Sequence, residues 1–256
     1  MISTSQLLSG KPVKFEGVGT LVPPTLERIF DCAGDTDTTD KYLIYLNILQ
    51  MNMDTFLQTS NLQQFYNTLS VKEKEQFTLY KFLTVEKSMR DILIECFSFF
   101  IAETIIFNEL KCEFYICNGI DLIGKINEEN FNLVRFNILR MNCISSKELK
   151  PLKFKNKKAR EIYEKCQQGR AELEKAKSQG KTDSKYSLDN LVAYVATKSF
   201  SYNFENIWNL TIYQFQEVFH RLNLYNQMEA HTRRWSTWGK EPFDFSSWYH
   251  NMEILK

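Results

Sequence analysis

The stretch Asp91–Phe107, "DILIECFSFFIAETIIF", limits the folds open to this chain more than any other. Apolar residues occupy so many of its positions that a helix built from it would be hydrophobic on nearly every face. Such a helix belongs either in a bilayer or in the middle of a core. A bilayer span needs about 20 consecutive apolar residues, whereas this stretch begins at Asp91 and is interrupted by Glu95 and Glu103. The core reading follows. Val85–Phe107 is expected as a buried helical segment at the centre of an N-terminal core, which the other elements must cover.

Those other elements read as mostly helical. Only 9 Gly and 5 Pro occur in 256 residues, too few for a turn-rich sandwich or barrel. With 43% apolar and 14% aromatic residues, the chain can bury a substantial core. The expected fold class is therefore mainly α, more fully α+β with small β-hairpins, in two helical units joined by a charged linker. The expected domains are 1–146, a mainly helical N-terminal domain with short hairpins; 147–185, a basic and partly helical linker; and 186–256, a helical C-terminal domain with an aromatic clasp.

Local signals place the elements. Val13 and Phe15 alternate before Gly17–Gly19, and Thr20–Val22 resumes the pattern, which predicts a small strand pair. Pro23-Pro24 suit the first turn of a helix in "PPTLERIF". "DKYLIYLNILQMNMDTFL" and "NLQQFYNTLS" read as helices, and Ser70–Glu73 is a capping-box pattern. Asn118-Gly119, flanked by aromatic and β-branched residues, predicts a type I′ hairpin. Asn127 is expected to cap a helix with Glu128 and Glu129 in its first turn. Farther on, "SLDNLVAYVATKSF" is one helix and "NFENIWNL" a short one. Thr211–Gln214 is a second capping box, opening a helix whose Ile212, Phe215, Phe219 and Leu222 form one buried stripe.

Charge is uneven along the chain. Its net value is +1, but Lys147–Lys185 holds 13 Lys/Arg against 6 Asp/Glu, leaving a net of −6 for the remainder. This basic stretch reads first as a solvated linker and second as an anion-binding arm, with Lys153, Lys155, Lys157, Lys158 and Arg160 as the candidate contacts. The N-terminus, "MISTSQLLSGKPVKF", lacks a basic region followed by a sufficient apolar run, so no signal peptide is expected. Six scattered cysteines suit a reducing compartment.

Catalytic and metal constellations are not expected. Glu217-Val-Phe-His220 has the spacing used in di-iron bundles, but a second such pair and two further carboxylates are missing. Cys112 and Cys117, at an odd offset on one strand, would face opposite ways. The acidic run Asp31, Asp35, Asp37, Asp40 lacks the glycine and final glutamate of a calcium loop. "QGKT" at Gln179–Thr182 ends like a Walker loop, yet Lys175 stands where its first glycine is required. No G-x-S-x-G occurs. The expectation is a non-enzyme with no catalytic residues, no metal and no cofactor.

The order of features is similar to that of a known group. "PPTLERI" follows a short β segment; then come "DKYLIYLNIL", the apolar segment ending in "FN", "FYICNGIDLIGKINEENF" and "KPLKFKNKKAREIYEKCQQGR". The chain closes with "NIWNLTIYQFQEVFHRL" and "STWGKEPFDFSSWYHNM". It resembles proteins encoded in tail modules of phages and prophages of Gram-positive hosts, either tail assembly chaperone-like or tail-associated. That resemblance implies protein–protein work in the host cytoplasm during virion building, with a tape measure, tail tube or baseplate subunit as partner. It also leaves room for a permanent place in the virion tail or baseplate, and for a homo-oligomer. A membrane role is not implied. A nucleic-acid-binding accessory protein is the reading from a different class, resting on the basic arm and on Arg233 and Arg234 beside tryptophans.

"HTRRWSTWGKEPFDFSSW" (231–248) gathers three of the four tryptophans. The spacing predicts that Gly239 and Pro242 stop the preceding helix and that Phe243, Phe245 and Trp248 fold back as a clasp, with Trp235 just beyond the helix. Cations at Arg233 and Arg234 then sit where a helix C-terminus favours them. The candidate partner-binding residues are Trp208, Phe215, Phe219, Trp235, Trp238, Phe243, Phe245 and Trp248.

Overall fold

The structure is a computed structural model, and it describes residues 1–32, 40–59, 63–70, 77–144 and 187–239. The Ser70–Glu73 box, the acidic run between Asp31 and Asp40, the 147–185 stretch and the "FDFSSW" clasp fall wholly or largely outside them. Among the described residues there are ten α-helices and two antiparallel sheets. The fold is mainly α with small β-hairpins.

Chain contacts divide the molecule into two units. The first combines Met1–Leu149 with Trp208–His220 and Phe245–Lys256; the second combines Lys150–Ile207 with Arg221–Asp244. The C-terminal stretch expected as a separate domain from 186 thus gives the opening turns of its long helix to the first unit.

In the first unit, α1 (Thr4–Ser9) has a complete capping box between Ser3 and Gln6. Strands β1 (Val13–Phe15) and β2 (Gly19–Leu21) form the expected pair. In α2 (Leu26–Asp31) the prolines are not part of the first turn: Thr25 is the cap, accepting from the Arg28 amide. Helices α3 (Asp40–Gln50), α4 (Met53–Thr59), α5 (Gln63–Thr68) and α6 (Leu79–Val85) follow. The apolar segment is split. Only Lys87–Phe100 is helical (α7); Thr104–Asn108 is a strand, β3, with β4 (Glu113–Asn118) and β5 (Asp121–Ile126) completing a sheet of order β3-β4-β5. The physical reason is local. Thr104, Ile105 and Ile106 are consecutive β-branched residues, which crowd a helix and suit a pleated surface. The backbone of Phe100–Ala102 is meanwhile held against Thr20–Val22 by main-chain hydrogen bonds.

The β4–β5 turn also departs from expectation. Asn118 pairs with Asp121, so the two central residues are Gly119 and Ile120, not Asn118 and Gly119. Gly119 has φ 64 and Ile120 is not among the positive-φ residues, the glycine-first pattern of a type II′ turn. Helix α8 (Phe131–Met141) starts later than expected. Asn127 instead closes a turn, accepting through Oδ1 from the Glu129 and Asn130 amides while its own N–H donates to Asn130 Oδ1.

An aromatic cluster fills the first core. Phe114 of β4 is fully buried and touches Phe97 (ring centroids 5.2 Å), Phe107 (4.9 Å) and Tyr80 (6.3 Å), while Phe131 lies 5.2 Å from Tyr80. Polar groups enter this core with partners. Tyr80 Oη donates toward the carbonyls of Cys112 (2.6 Å) and Ile126 (3.2 Å), and burial raises its phenol well above the usual range. The Tyr42 hydroxyl donates to Asn142 Oδ1 at 2.7 Å, and its pKa is likewise raised by burial. Asn137 Oδ1 accepts from the Ile2 amide at 2.9 Å, and Arg140 donates to the Ile2 carbonyl, so α8 anchors the start of the chain. Arg135, buried, donates to the Met51 carbonyl at 2.9 Å and lies over the Phe131 ring, and desolvation lowers its pKa.

The second unit contains α9 (Leu188–Lys198) and the later part of α10 (Ile212–Trp238). Asn226 of α10 donates to the Tyr194 hydroxyl of α9 at 2.7 Å. Asn203 and Asn206 form a turn with the same bonds as Asn127 and Asn130, down to an Nδ2 donation to the carbonyl two residues before the first asparagine.

Candidate partner-binding surface

The α10 N-terminus is built by the predicted capping box. Thr211 Oγ1 accepts from the Gln214 amide at 3.3 Å, and Gln214 Oε1 accepts from the Thr211 amide at 2.9 Å. Gln214 Nε2 also donates to the Leu8 carbonyl at the end of α1, at 2.9 Å. Two main-chain bonds flank the cap, Leu26 N–H to the Leu210 carbonyl and Ile212 N–H to the Pro24 carbonyl. The start of α10 is therefore fixed to α1 and α2 within the first unit.

That attachment sorts the candidate aromatics. Ile212, Tyr213 and Phe215 are buried, Phe215 completely. Phe219 and Leu222 are only half-buried, so the predicted stripe is covered in its first turn and not along its length. Phe215 is thus a core residue whose ring is closed to a partner, a correction to its place among the candidate contacts. Trp208 is half-buried and meets Phe30 edge-on at 5.4 Å.

From residue 229 to its end, α10 is exposed. Trp235 lies inside this helix, not beyond it: the helix runs to Trp238, and Gly239 follows directly with its amide donating to the Trp235 carbonyl. Helix formers in "NQMEAHTRR" carry the helix four residues past the predicted point. Trp235 is 44% exposed and Trp238 79%. The indole of Trp235 lies so close to Gly239 that a Cβ there would collide with it, which explains glycine at the helix end. Arg233 pairs with Glu229 one turn back, so its charge is partly met within the helix. Phe243, Phe245 and Trp248, like Lys153, Lys155, Lys157, Lys158 and Arg160, lie outside the described residues.

Among the described residues no group of three His, Cys, Asp or Glu stands close enough to hold a metal ion. His220 is half-buried with its Nε2 covered and without a hydrogen-bond partner. The exposed Cys112 is not on β4; it occupies the preceding turn at φ 52. No helix, among the described residues, is long and apolar enough to cross a membrane.

What the surface can do is bind without chemistry. It offers two indoles and a tyrosine, Tyr225 at 48% exposure, along one helix with arginines among them. Sequence reasoning had the aromatic residues but not their division, because periodicity marks a stripe and does not say where its cover ends. Residues 176–253 match the model of the family described as YomV second domain, a phage-associated family named for a Bacillus prophage protein. The C-terminal part of the chain, including all of α9 and α10, is similar to that family. No curated protein and no solved structure matches the chain.

Proposed function

We propose that this chain is a non-enzymatic phage tail assembly protein that acts in the host cytoplasm, holding a tape measure or tail subunit as a chaperone until the tail forms. The reading is supported by the phage-associated family match over residues 176–253, in agreement with the tail-module resemblance of the feature order. The exposed aromatic end of α10 supplies the kind of surface an amphipathic partner helix recognises. Aromatic side chains of this sort give binding energy at small entropic cost. No bond is made or broken in this role, so no cofactor is called for.

Co-expression with the neighbouring tape measure protein tests the reading. The expected result is a larger soluble fraction of that protein and its co-purification with this chain. An unchanged soluble fraction overturns the chaperone role. Mass spectrometry of purified particles separates it from the alternative, a structural component of the tail or baseplate: an assembly factor is absent from finished virions, and a component is retained.

A further inference from the structure

Strand β3 has β4 on one side only. Among the described residues, none of the main-chain hydrogen bonds of Thr104–Asn108 reaches any element but β4. Edge strands of native sheets are normally blunted by lysine, proline, an inward charge or a bulge. "TIIFN" has none of these, and the bulge of this sheet lies between Ile116 and Cys117, toward β5. The side chains that face outward near this edge are apolar. Ile106 is 53% exposed and stands opposite Tyr115; Leu122 is 56% exposed and stands beside Cys117, which is opposite Thr104. A row of apolar groups therefore runs across the outer face and stops at the open edge.

The charges around that row are already matched. Lys125 Nζ meets Glu113 Oε1 at 2.7 Å on the same face, and Arg90 meets Glu109 at 3.3 Å just past the end of β3. An identical edge would encounter no unpaired like charge. It would also be complementary in pattern. A two-fold axis perpendicular to the sheet and centred on Ile106 sets Ile106 against its own copy and Thr104 against Asn108, with every outward side chain kept on one face.

We propose that β3 pairs antiparallel with β3 of a second copy of this chain, merging two three-stranded sheets into one continuous sheet. Pairing satisfies the main-chain groups of both edges and covers Ile106 from both sides.

Sedimentation velocity on the full chain, across a range of micromolar concentrations, together with hydrogen exchange of the β3 amides, tests this. The wild type is expected to pass from monomer to dimer as concentration rises, with exchange at Ile105–Asn108 slowed about tenfold or more in the dimer. Ile106→Lys and Thr104→Lys, both at exposed positions, should hold the chain monomeric while leaving the urea midpoint in place. Leu122→Lys, on the same face but two strands from the edge, should still dimerise. A wild type that stays monomeric throughout overturns the proposal. So does a dimer that survives both edge lysines, or one in which β3 exchange does not change, since another surface would then be responsible.

Discussion

Phe114 carries more of the first core than any neighbouring side chain, because three rings from three different elements close on it. Tyr80 comes from α6, Phe97 from α7 and Phe107 from β3. Removing it leaves a cavity whose walls belong to separate elements and cannot collapse together. Phe114→Ala should lower stability by about 3–5 kcal/mol, read from the urea midpoint, and a loss below about 1.5 kcal/mol would show that the walls relax. The Glu95 site behaves differently, because it is on the surface. Its carboxylate meets Lys41 Nζ at 3.0 Å and accepts from the Tyr45 hydroxyl at 3.1 Å, and the Lys41 hydrogen bond holds its pKa below the usual carboxylate value. A depressed carboxylate contributes stability above its unfolded pKa and loses it as pH falls through the folded value. Both partners are about half exposed, with side-chain accessibilities of 52% and 55%, so the contribution is small. Glu95→Gln should be slightly less stable than wild type at neutral pH, and the gap should close on acidification below the carboxylate range. Urea midpoints at both pH values check the sign.

At the level of elements, Gly124 decides how the first hairpin meets the sheet. A Cβ there would lie 2.6 Å from the Val18 carbonyl oxygen and 2.8 Å from that of Gly17, which are backbone atoms with no freedom to rotate away. The Lys125 amide donates to the same Gly17 carbonyl at 2.9 Å. Gly124→Ala must separate the β1–β2 turn from β5 and should cost about 1–3 kcal/mol, with faster exchange of the Lys125 amide as its specific mark. This contact was not legible in the sequence, since it joins residues far apart whose only local sign is a glycine in a strand pattern. The elements with local chemistry were legible. The strand pair at Val13–Leu21, the Thr211–Gln214 box and the helix after Ser187 are written in neighbouring side chains. What sequence missed was settled at a distance: the Phe100–Ala102 backbone is held by β2, so the apolar segment leaves its helix there and becomes β3. Asn127 was read correctly as a cap, but its reciprocal bonds with Asn130 close a turn before the helix begins.

For the molecule as a whole, the aromatic residues of the C-terminal stretch divide between two tasks, and a pair of substitutions separates them. Phe215 is fully buried in the first unit, directly after a cap tied to α1 and α2. Trp238 ends α10 in the second unit with 79% of its surface exposed. Burial of a large apolar side chain is what makes its loss costly, so Phe215→Ala should reduce stability by about 3–5 kcal/mol. Trp238→Ala should stay within about 0.5 kcal/mol of wild type, as exposed substitutions do. If α10 presents its indoles to a tail protein, Trp238→Ala should nevertheless lower the soluble yield of a co-expressed tape measure partner while leaving the urea midpoint and circular dichroism unchanged. A stability loss on Trp238→Ala would instead assign the indole to the protein's own packing. An unchanged midpoint with unchanged partner yield would remove the helix end from the binding surface. Because burial and exposure predict opposite columns of this comparison, one unfolding assay and one co-expression assay on two variants distinguish a structural aromatic from a recognition aromatic.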